Sequence, residues 1–104
     1  MAAINFDVLA SGQVANSQTT VFTAATPTWV REVSFMPSAD GEVVTLWVLP
    51  SGGTARRIGH WELDTSEKGS YDTPISLGVG DALQASTTTA ATVDYAVLGG
   101  ARAP

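Results

Sequence analysis

The sequence predicts an all-β chain, an antiparallel sandwich of about eight strands, and three observations carry that reading. Apolar residues recur with a period of two through most of the chain, the mark of strands whose successive side chains face opposite sides. Clusters of Gly, Pro, Asp and Ser interrupt the pattern at intervals of roughly 8–12 residues, the spacing of a sandwich or small barrel. Only 14% of residues are charged, and the chain is rich in Thr, Ser, Ala and Gly, which suits a pleated surface better than a helical one.

The first strand is expected in "INFDVLA", where Ile4, Phe6 and Val8 alternate with Asn5, Asp7 and Leu9 before Ser11-Gly12. "QTTVFTA" is a Thr-rich second strand closed by Pro27. In "TWVREVSF", Val33 and Phe35 share one phase and Val30 has the other, so a bulge is expected near Arg31 or Glu32. "PSADG" turns the chain, with Asp40-Gly41 as its left-handed end. "EVVTLWVL" is the fourth strand, stopped by Pro50 and turned by Ser51-Gly52-Gly53, where both glycines can take positive φ. "ARRIGHWEL" follows, with Trp61 and Leu63 in one phase and Ile58 and His60 in the other. After the polar loop "DTSEKGS", "YDTPISL" puts Tyr71, Thr73, Ile75 and Leu77 on one face. "GVGD" turns into "ALQAST", and "TVDYAVL" ends the sheet with Val93, Tyr95 and Val97 inward. A helix over 81–98 is rejected, because "STTTAAT" is a β-branched run with no apolar stripe at helical spacing.

A chain of 104 residues reads as one domain, 1–104. Residues 1–12 are expected as an N-terminal arm or first strand, and residues 99–104 as a C-terminal tail. At this size roughly 60–70% of the unfolded surface is buried on folding, so the core is thin. Cysteine is absent, so neither disulfides nor a thiolate metal site can reinforce it, and a partner subunit is the expected support. A net charge of −5 argues against a phosphate-binding surface, and nucleic acid is not expected as a partner. No apolar run approaches the roughly 20 residues needed to span a bilayer, so no membrane partner is expected either. The first ten residues lack the basic and apolar regions of a secretory signal, and synthesis in the cytoplasm is the expectation.

Catalytic, cofactor and metal residues are all expected to be absent. His60 is the single histidine. Glu62, Asp64 and Ser66 allow a Ser-His-Asp reading to be written down, yet neighbours on one strand do not flank an imidazole from both sides. A zinc site needs more nitrogen or sulfur ligands, and Asp64 with Glu67 fits no EF-hand loop. "SGGTARR" lacks the Lys-Ser/Thr ending of a P-loop, and "GVGD" precedes a strand instead of a helix. Asp81 is expected to accept backbone N–H groups of its own turn.

The fourth strand raises a different question. Val44, Leu46 and Val48 form one apolar set, but Val43, Trp47 and Leu49 make the opposite face nearly as apolar. If the first set faces the interior, Trp47 and Leu49 emerge outside and need cover, and a neighbouring subunit is the simplest one. Trp29 and Trp61 join them as candidate interface residues, since aromatic residues are enriched at interfaces. Trp29, Trp47, Trp61 and Tyr71 are the aromatic set that could instead form a glycan platform, with Trp29, Trp61 or Tyr71 as its leading members.

The order of motifs is also familiar. "VFTAATPTWVREVSFMPSADGEVVTLWVLPSGGTARRI" followed by "ISLGVGDALQASTTTAATVDYAVLG" resembles small all-β accessory structural proteins of tailed-bacteriophage virions, over about residues 20–99. The shared features are a V-x-x-V-x-F strand, the V-T-L-W-V-L-P-S-G-G strand and turn, and an L-x-x-G-D-x-L-Q-A strand. The resemblance implies a jelly-roll-like sandwich and a non-enzymatic virion protein of the capsid decoration, or cement, type. It implies a homo-oligomer, favouring a trimer, whose other partner is the major capsid protein or another virion protein. A carbohydrate-binding module, or a tail, baseplate or head-fibre component, is the alternative.

Overall fold

The computed structural model describes residues 7–102, and all of their regular structure is strand. Ile4, Asn5 and Phe6 of the expected first strand and the last two residues of the expected tail lie outside the described residues. Nine strands follow in order: β1 (Asp7–Gln13), β2 (Thr19–Thr23), β3 (Thr28–Pro37), β4 (Glu42–Leu49), β5 (Arg56–Leu63), β6 (Gly69–Tyr71), β7 (Ile75–Leu77), β8 (Ala82–Ser86) and β9 (Val93–Ala101). One sheet has the order β1-β9-β3-β6, with β7 also on β3, and the other has the order β2-β8-β4-β5. The pairs β1:β9, β2:β8, β3:β6/β7 and β4:β5 are all antiparallel. A long ribbon of such pairs folded over on itself is the jelly roll, and this chain has that topology.

The expected sixth strand is split, which is why there are nine strands and not eight. Tyr71 and Ile75 both pair with β3, but Asp72, Thr73 and Pro74 between them do not. Pro74 has no N–H to give a ladder. Both chain ends also run past the glycines read as stops. β1 continues through Ser11 and Gly12, with the Tyr95 ring over Gly12 where a Cβ would sit 3.2 Å from it. β9 continues through Gly99 and Gly100 to Ala101, paired with Val30, Trp29 and Thr28.

The core lies between the sheets. Val30, Val33 and Phe35 of β3, Val44 and Leu46 of β4, Leu83 and Ala85 of β8 and Val93 and Val97 of β9 are fully buried. The expected bulge in β3 falls between Val30 and Glu32. It switches phase, so that Val30 and Val33 both reach the interior although they are three residues apart. Gly41 and Gly52 turn at positive φ, and Gly53 does not.

Candidate functional site

The four aromatic and aliphatic residues singled out in the sequence occupy three separate places. Trp47 and Leu49 lie on the outer face of the second sheet, because their neighbours Leu46 and Val48 face the core. Trp29 lies on the outer face of the first sheet and is 47% exposed. Trp61 points inward. Its ring sits over Gly59 and Gly69, where a Cβ on Gly69 would come within 3.3 Å of it, and its centroid is 5.3 Å from that of Phe35. A ring so placed closes the seam between β5 and β6 and leaves only part of its surface exposed. Tyr71 likewise packs against the core.

The outer face of β4 is less dry than the strand alone suggests. Trp47 stands between Gln84 of β8 and Arg57 of β5, Thr45 between Ser86 and His60, and Val43 beside Glu62. Polar neighbours thus dilute the apolar column, and Trp47 and Leu49 are only partly exposed. The barer apolar surface is on the first sheet. Val8, 61% exposed, is paired with Leu98, and Trp29 is paired with Gly100, two residues further along the same strand. Gly100 has no side chain with which to cover the indole. Sequence reasoning missed Val8 and Leu98 as a surface pair, because only the β1:β9 register brings these opposite ends of the chain together.

Several of the titratable groups hold loops and turns together. His60 Nδ1 lies 3.1 Å from the Thr45 hydroxyl. Asp64 accepts the Gly41 N–H at 2.9 Å and Asp40 accepts that of Thr65 at 2.8 Å, so two loops are clipped together by exchanged carboxylates. Glu67 accepts the N–H of Asp64. Asp81 accepts the Gly78 N–H within its own turn, as expected, and also that of Ser51 at 2.8 Å, which ties the two glycine-rich turns to each other. No group of three or more His, Cys, Asp or Glu side chains among the described residues could hold a metal ion.

Glu42 is the buried carboxylate. It opens β4 and is gripped by the Thr-rich segment rejected above as a helix: Thr92 Oγ1 donates at 2.5 Å, the Thr89 N–H at 3.0 Å and Thr87 Oγ1 at 3.2 Å. The Thr92 hydroxyl chiefly, then the Thr89 N–H, holds its pKa below the ordinary carboxylate range against the effect of burial. Asp81 is lowered by the Ser51 and Gly78 N–H groups, and Asp40 by that of Thr65. A carboxyl lowered in the fold stabilises it fully above its unfolded-chain value and loses that contribution as pH falls through the folded one. Stability against urea is therefore expected to be level above about pH 5 and to decline below it, with Glu42→Gln flattening the decline. A midpoint unchanged down to about pH 3 would count against this account.

No family model matches this sequence, and no curated protein matches it. Among solved structures, chains of infectious bursal disease virus are similar in fold. That of the Gx strain has a TM-score of 0.47 and 17% identity over 90% of this chain. That of the Gt strain has the same score and identity over 91%. This chain covers 31% of either.

Proposed function

We propose that the chain is a non-enzymatic virion structural protein that decorates and cements a phage head as a homo-oligomer. The observation that carries the reading is the exposure of Val8 and Trp29, 61% and 47%, on the first sheet, with the partly exposed Leu98 beside Val8. Large apolar side chains left exposed on one sheet face are what an interface would cover. The sequence resemblance to phage accessory proteins supports the virion setting, and the commitment of Glu42, Asp40, Asp64 and Asp81 to loops and turns is in keeping with a scaffold. A trimer is favoured because it matches the threefold positions of an icosahedral shell. Placement on a tail, baseplate or head fibre would change the virion partner and leave the surface the same.

Light scattering at micromolar concentration tests the reading. The wild-type protein is expected as one compact oligomer, and Trp29→Ser as a monomer with an unchanged circular dichroism spectrum, a loss of about 2–4 kcal/mol per buried anchor. A wild-type monomer that also fails to sediment with virion shells would overturn it.

A further inference from the structure

In a regular strand, residues three apart point to opposite faces. Arg57 and His60 of β5 do not. Leu46 is paired with Gly59 while the next residue, Trp47, is paired with Arg57, which leaves Ile58 as an extra residue on β5. A bulge re-aims side chains, and here it turns Ile58 onto the core and Arg57 onto the outer face that His60 already shares. The cross-strand register then lines up Thr20, Gln84, Trp47 and Arg57 in one row across all four strands, with Ser86, Thr45 and His60 in the row beside it.

Thr20, Gln84, Thr45 and His60 of these rows are held by side-chain hydrogen bonds before any ligand arrives. Gln18 Nε2 donates to Gln84 Oε1 at 2.7 Å, and Gln84 Nε2 donates to Thr20 Oγ1 at 3.2 Å. Thr45 Oγ1 fixes the His60 ring through Nδ1, and His60 Nε2 has no partner among the described residues. Arg57 is exposed and makes no ion pair among the described residues, in a chain whose net charge is −5. A shallow, open groove lined by Arg57, Ile58, Gly59 and His60 runs along the bulge.

We propose that this face binds an anionic saccharide, a pyranose bearing a carboxylate. Trp47, partly exposed beside Arg57 in the same row, is the apolar group for the C–H face of the ring, and the Arg57 guanidinium offers paired donors to the carboxylate. His60 Nε2, Gln84 and Ser86 retain hydrogen-bonding capacity for ring hydroxyls. A phosphate ligand would call for more cations or a nest of backbone N–H groups than this face presents. The site lies on the opposite sheet from the proposed subunit surface and is independent of it.

The test is a titration of the wild-type protein followed by amide and indole N–H resonances, with sodium glucuronate, glucose and sodium acetate as probes. Glucuronate is expected to give saturable shifts at Trp47, Arg57 and His60, with glucose binding at least roughly fivefold more weakly for want of the charge-assisted bonds. Arg57→Gln is expected to weaken glucuronate roughly tenfold, with the dispersion of the spectrum and the oligomeric state unchanged. Trp47→Leu, which keeps apolar cover, should lose glucose and glucuronate alike. Absence of saturable shifts, equal affinity for glucose, full reproduction of the shifts by acetate, or a response centred on Trp29 would each overturn the proposal.

Discussion

Gly99→Ala is expected to lower the thermal unfolding midpoint by more than about 10 °C, as a loss of roughly 3 kcal/mol in a domain of this size does. Gly99 sits opposite Val30, at the bulge where β3 presses closest to β9. A Cβ built there would overlap the Trp29 carbonyl oxygen and lie 3.0 Å from the Val30 Cα. These are backbone atoms, which no rotamer change can move aside. The two strands would have to part in the middle of the first sheet, breaking ladder hydrogen bonds beneath Trp29 and disturbing the proposed subunit surface as well. Gly78→Ala is the matched control, since its Cβ would meet nothing nearer than an Asp81 carboxylate oxygen at 3.5 Å. The control should stay within about 0.5 kcal/mol of wild type. A Gly99→Ala protein that melts with the control would show that the β3:β9 approach is not the tight contact described.

The difference between Gly99 and Gly78 shows what was legible in the sequence. Local features were: the phase change in "TWVREVSF" announced the β3 bulge, Asp40-Gly41 announced a left-handed turn, and Asp81 announced its backbone bonds. Each depends on residues within a few positions of one another. Glycine was ambiguous, because turn glycines and close-approach glycines look alike in one dimension. Gly12 and Gly99 read as stops and are instead places where a ring or a neighbouring strand occupies the space of a side chain. The tryptophans were ambiguous for the same reason. Trp29 and Trp61 are equally apolar, and what sends Trp61 inward is the room left by Gly59 on its own strand and Gly69 on another. The rows on the two outer faces depend on register between strands distant in sequence. The β5 bulge has the same phase change as the β3 one, Ile58 set against Trp61 and Leu63, but His60 in step with Ile58 made that phase look like a polar outer face and hid it.

Phe35→Ala is expected to cost about 3–5 kcal/mol, the range for emptying a buried aromatic site. Phe35 has no exposed surface and stands on β3 between Gly69 and Tyr95. Its ring meets that of Trp61 at 5.3 Å between centroids with the planes tilted by 48°. Such a pair contributes about 0.5–1.5 kcal/mol beyond the area it buries. The pair bridges the two sheets at the β5 edge, where Trp61 reaches over Gly59 and Gly69 to close the seam. Removing Phe35 takes the inner support from Trp61, and the seam cannot collapse into the gap without drawing β5 and β6 together. The midpoint of urea unfolding should therefore fall with the slope unchanged, the sign of lost stability in a fold otherwise intact. Trp61 emission should move toward that of a hydrated indole, while Trp61→Phe, which keeps an aromatic ring in the seam, should be the milder change. A Phe35→Ala protein within about 1 kcal/mol of wild type, or one with unaltered emission, would mean that the seam is closed by other side chains.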